Sequence, residues 1–149
     1  MVDSRTQRDP VVYGVDDPHN GYGPNRFRRL AAAGSEIVLF GEGEERRDHV
    51  YVEDVADLVR LIVLHRSAGI VNAVSGDVVS FRELAEFAAA EFALSKPIRS
   101  APRSGPMPHN GYRAFEKSAA TVAFHGFRFH SWREGLSKVH REYKASQPR

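Results

Sequence analysis

The sequence predicts an α/β domain: a small mixed sheet with helices packed on it. Three observations lead there. Short apolar or alternating runs recur at residues 9–14, 36–40, 49–52 and 69–74. Segments with helical spacing separate and follow them. Two Ser-x-x-Glu capping boxes, opening at Ser80 and Ser131, mark helix starts.

Residues 1–10 read as a flexible N-terminus and the start of a sheet strand. The run at 9–14 is extended and ended by Gly14. Residues 15–25 form a loop rich in Asp, Pro, His, Asn and Gly. Pro24 suits a first helical position; Phe27, Leu30 and Ala31 give helical spacing, closed by Gly34. A strand follows at 36–40. Residues 41–48 form a glycine-spaced, charged loop, and 49–52 an extended run of alternating bulk. An apolar helix then starts behind Glu53 and Asp54, acids that suit the positive end of a helix dipole. It carries Val55, Leu58, Val59, Leu61, Ile62, Val63 and Leu64, and so is expected to be buried on most sides. Residues 69–74 read as a strand. The helix capped by Ser80 packs through Phe81, Leu84, Ala85, Ala88 and Phe92. Residues 96–111 are a connector around a short strand at Ile98. A short helix spans 117–124, and the last helix presents Leu136, Val139, His140 and Tyr143. Residues 145–149 should be loose, leaving 11–144 as one domain.

The chain has 149 residues, enough for one domain with a real core. Its 42% hydrophobic and 27% charged content is that of an ordinary globular protein. The formal charge is +2 and the basic residues are dispersed, which argues against nucleic acid as a partner. Without cysteine there are no disulfides, thiolate metal sites or cysteine nucleophiles. There is no membrane-spanning apolar run and no signal-peptide core, so the expected location is the cytoplasm. Seven histidines give no His-Glu-x-x-His, and no metal site is expected; His125 and His130 flank an aromatic run that reads as packing.

Arg46, Arg47 and Asp48 are held at the mouth of a rigid element, where binding residues are useful. A guanidinium suits an oxyanion because it is planar, always charged and able to contact two oxygens. The residues alone leave open a surface arginine paired with Glu44, Glu45 or Asp48. Asp48 is expected to accept backbone amides and so fix the approach of Arg47.

The segment from Gly41 to Ala56 resembles the "GxGxxxRDxxxVxDVA" segment of the NAD-dependent epimerase/dehydratase family, extended short-chain dehydrogenases that act on nucleotide sugars. Asp9 to Gly14 is similar to its "RPxxVYG", Asn72 and Gly76 match "xxYNxxxG", and Arg103-Ser-Gly105 resembles "RxGD" with Pro106 in place of the aspartate. The loop and helix from Asp17 to Phe27 resemble one branch of the family. The resemblance covers only the family's second half. It implies the C-terminal part of a Rossmann-like fold, lacking the N-terminal dinucleotide-binding βαβ units. It implies that Arg47 and Arg103 hold the diphosphate of a nucleotide-sugar substrate, and that Tyr13 and Gly14 lie near the nicotinamide. Val11 stands where many members carry an amide that reaches the sugar phosphate; Asn20, Asn25 and Arg26 are the replacement donors.

The family's NAD-binding glycine fingerprint is missing from these residues, and no tyrosine has a lysine four residues later; Tyr112 and Lys117 are five apart. The chain is therefore expected not to bind NAD alone. Fragment, half of a split enzyme and stand-alone remnant are the explanations. The competing function is a non-catalytic module binding a phosphorylated ligand or a protein partner. A chain that begins within a sheet should also expose apolar surface and self-associate, or meet a cofactor-binding half.

Overall fold

The computed structural model describes residues 11–147. The expectations for residues 1–10 and for the last two residues lie outside them. Strand β1 is Val11–Tyr13, followed by helix α1, Pro24–Ala32, and strand β2, Ile37–Phe40. Strand β3, Arg46–Tyr51, runs directly into helix α2, Val52–Leu64. Strand β4, Val78–Ser80, runs directly into helix α3, Phe81–Glu91. Then come strand β5, Ile98–Ala101, strand β6, Tyr112–Arg113, and helices α4, Ser118–Ala123, and α5, Trp132–Ser146.

β3 is the hub of the main sheet. β1 lies parallel to it, with Val11 opposite His49 and Tyr13 opposite Tyr51. β4 pairs antiparallel, with Arg47 opposite Val79. β6 pairs parallel, with Arg47 opposite Arg113. A second ladder joins β2 and β5 in parallel, Ile37 opposite Ile98. The core between sheet and helices gathers Tyr13, Phe27, Leu39, Phe81, Leu84, Trp132 and Leu136. A smaller cluster of Leu58, Ala120 and Phe124 sits between α2 and α4.

Local chemistry explains several elements. Pro24 stands at the start of α1, and Gly34, at φ 63°, lets the Gly34 and Ser35 amides return to the Ala31 and Leu30 carbonyls. Both capping boxes form: Ser80 caps the Glu83 amide and Ser131 the Glu134 amide, with each glutamate reaching back.

Four expectations need correction. β3 begins at Arg46, so the charged loop ends earlier than 48; β4 and β6 draw those residues into the sheet, and such long-range pairing leaves no local mark. The stretch 69–74 is not a strand. Just beyond it, the Ser75 and Gly76 amides bond to the Asp48 carboxylate instead of to a neighbouring strand. α2 is not buried on most sides: only Asp54 and Leu58 are buried, while Val59, Val63 and Leu64 are 52%, 68% and 65% exposed. Apolar content cannot tell which face a neighbour covers. Finally, the tail expected to be loose from Ala145 continues α5 for two residues.

Candidate substrate site

The site grows from the alternation of β3. Glu45 and Arg47 are two residues apart in extended chain, so their side chains share a face. Arg47 donates through Nε to Glu45 Oε1 at 2.7 Å and through Nη2 to the same oxygen. Arg103, just past β5, places Nη2 3.0 Å from Glu45 Oε2. The three side chains are only 16%, 6% and 18% exposed. One buried carboxylate thus bridges both arginines singled out as diphosphate contacts.

Asp48 is 1% exposed and accepts from Ser75 N at 3.0 Å, Ser75 Oγ at 2.8 Å and Gly76 N at 2.7 Å. It accepts backbone amides as expected. Burial pushes its carboxyl above the ordinary range, partly offset by the Ser75 and Gly76 hydrogen bonds. The fully buried His49 donates from Nδ1 to the Arg47 carbonyl at 3.0 Å, and desolvation lowers it to about 4.

A cavity of about 700 Å³ opens beside this face of the sheet. Arg47, Glu45 and Asp48 line it from β3 and its approach; Asp17, Tyr22 and Asn25 from the loop and the start of α1; His109 and Arg113 from the turn before β6 and β6 itself. Asn25 is 7% exposed, donates through Nδ2 to Asp17 Oδ2, and leaves its buried Oδ1 without a partner among the described residues. Arg113 stands opposite Arg47 in the ladder, with Nη1 2.6 Å from His109 Nε2 and its guanidinium over the Phe115 ring.

Of the predicted site residues, Arg47 and Asn25 line the cavity, and Arg103 reaches it through Glu45. Arg26 is exposed and does not line it, because one helical step turns it away from Asn25. Tyr13 and Gly14 do not line it either. Tyr13 is 1% exposed, stacked on Tyr51, and its hydroxyl has no partner among the described residues; burial raises its ionisation well above the ordinary tyrosine range. A Cβ added at Gly14 would stand 2.6 Å from Val52 Cγ1, and one at Gly135 would run into the Tyr13 hydroxyl. Tyr13 and Gly14 are thus both packed against neighbouring elements. Sequence reasoning missed Arg113 because a two-residue strand just past a connector has no periodicity. It missed Arg28, which lies buried and donates to the Gly14 and Val15 carbonyls at 3.2 and 3.1 Å, anchoring the loop after β1. Among the described residues no group of three or more His, Cys, Asp or Glu side chains is placed to hold a metal.

Residues 8–75 match the model of the NAD-dependent epimerase/dehydratase family. Solved structures share the fold. An epimerase from Methanothermobacter thermautotrophicus superposes with TM-score 0.80 at 20% identity, over 93% of this chain and 42% of its own. UDP-glucose 4-epimerase from Thermotoga maritima, solved with UDP-glucose, gives 0.74 at 26% identity, over 93% and 44%. UDP-glucose 4-epimerase from Thermus thermophilus, solved with NAD, gives 0.68 at 25% identity, over 91% and 45%. The chain therefore spans less than half the length of these structures. No curated protein matches it. Among the described residues no helix is long and apolar enough to cross a membrane.

Proposed function

We propose that this chain is the substrate-binding portion of an NAD-dependent nucleotide-sugar epimerase/dehydratase, with Arg47 contacting the substrate diphosphate. The observation that carries the proposal is the position of Arg47. It is part of the family segment, projects from the central strand, and lines a cavity large enough for a sugar nucleotide. Arg113 opposite it adds a second cation to the same wall. Arg103 completes the cluster through Glu45. The unpartnered Asn25 Oδ1 is suited to accept from a ligand hydroxyl.

Calorimetric titration with UDP-glucose and UDP-N-acetylglucosamine tests this. The wild type should bind, and Arg47→Ala should weaken binding by about 100-fold, the scale for truncating one partner of a desolvated charge pair. No binding by the wild type, or equal binding by the variant, would overturn it.

The family's NAD chemistry needs a cofactor surface, which we assign to a separate cofactor-binding half. The chain's part is to bind and orient the sugar nucleotide, while the exposed valines of α2 meet a cofactor-binding half or a second copy. Sedimentation velocity should therefore show concentration-dependent association of the isolated chain; a monomer at every concentration would argue against self-association. The alternative, a module that binds a phosphorylated ligand or protein partner without turnover, draws on the absence of a tyrosine–lysine pair four apart. Turnover of a sugar nucleotide on adding NAD would eliminate it.

A further inference from the structure

A buried carboxylate is a poor neighbour for a bound phosphate, and this cavity has one at its centre. Glu45 is 5% exposed, with one oxygen on Arg47 and the other facing Arg103. Asp17 and Asp48 also line the cavity, but their oxygens are engaged elsewhere. Asp17 accepts from His19 N at 2.9 Å and from Asn25, and Asp48 from Ser75 and Gly76. Glu45 alone takes up the fork that a phosphate would use. The Nε and Nη2 edge of Arg47 is the bidentate edge of a guanidinium, and both its protons point at the same Glu45 oxygen.

We infer that Glu45 is a specificity-determining residue of the substrate site: an internal counter-anion that occupies the arginine clamp and sets a charge threshold for what can displace it. The inference rests on the proposed substrate role of this cavity. A nucleoside diphosphate must take Arg47, and with it Arg103, away from Glu45. It then leaves a buried carboxylate without a counter-ion beside its own negative charge. A ligand that reaches only the rest of the cavity meets no such competition. Glu45 therefore lowers affinity for the diphosphate while holding two neighbouring guanidinium groups together in the ligand-free protein.

The experiment compares wild type and Glu45→Gln by calorimetry, with UDP as the charged probe and uridine as the uncharged one. The amide keeps the shape and removes the charge. UDP should bind the variant about tenfold more tightly or better, the lower end of coupling between close charged groups at an interface. Uridine should bind both proteins equally. Should Glu45→Gln not fold, Glu45→Asp withdraws the carboxylate by one methylene and should also tighten UDP binding. UDP binding that is unchanged or weaker in the folded variants would overturn the inference. So would an equal gain for uridine, because the effect would then not be one of charge. Wild type that binds UDP through Arg47 without any gain in Glu45→Gln leaves the substrate role standing and removes only Glu45's part. Failure of both proteins to bind UDP removes both.

Discussion

Acidification from pH 7 to pH 4.5 should lower the unfolding free energy by about 5 kcal/mol through two buried histidines, enough to bring a domain of ordinary stability near its unfolding threshold. His49 and His140 are both fully buried, and desolvation lowers each to about 4. His49 keeps one hydrogen bond, to the Arg47 carbonyl. His140 lies against the Phe87 and Phe92 rings with neither nitrogen partnered among the described residues. Glu91 raises its ionisation, while Arg28 and Lys144 lower it further. Both rings stay neutral in the fold, whereas the unfolded chain protonates them below about pH 6.5. Their contribution is therefore complete above that pH and drains away as the pH falls toward 4, at about 1.4 kcal/mol per pH unit for each ring. Asp48 works the other way. Its raised carboxyl takes up a proton in the fold before the unfolded chain does, which offsets part of the loss. Urea denaturation followed by circular dichroism at the two pH values measures the difference. His140→Phe keeps a ring among rings and should remove about half of the loss. Equal stability at both pH values would contradict the prediction.

Asp48→Ala should destabilise the domain by about 3–5 kcal/mol, the effect of leaving buried donors without their charged acceptor. Three donors converge on this carboxylate, two of them main-chain amides of a segment that has no strand of its own. Their loss would free the chain around Val74 and Ser75, which are 1% and 5% exposed. Gly76 sits at φ 72°, and a Cβ there would collide with Lys117, whose Nζ donates to the Ser75 carbonyl at 3.2 Å; the turn has little freedom to rearrange. Asp48→Asn should cost less, because its single amide oxygen can still accept while the NH₂ faces a donor. Equilibrium denaturation of the two variants checks this order, and a neutral Asp48→Ala would refute the anchoring role. Because Asp48 follows Arg47 on β3, the Ala variant should also weaken UDP-glucose binding beyond what its stability loss explains.

The fold was legible where chemistry is local. Ser80 with Glu83, Ser131 with Glu134, and Pro24 with Gly34 carry their structure in a few neighbouring residues, and each forms as read. It was obscure where the decisive partner is distant. Arg46 and Arg47 look like loop residues until β4 and β6 pair with them. The 69–74 stretch looks like a strand until Asp48 claims the amides that follow it. For the site, motif likeness singled out Arg47 and Arg103, and Glu45 stood among the ion-pair partners considered. That Glu45 would join both arginines needed the return of the chain after β5.

The parallel ladders join residues remote in the chain: Val11 meets His49, Ile37 meets Ile98, and Arg47 meets Arg113. Closing such loops loses chain entropy before any contact repays it, whereas the boxed turns at Ser80 and Ser131 need only their own neighbours. Nascent helix should therefore appear early in refolding, and the clamp on β3 should be among the last features to take shape.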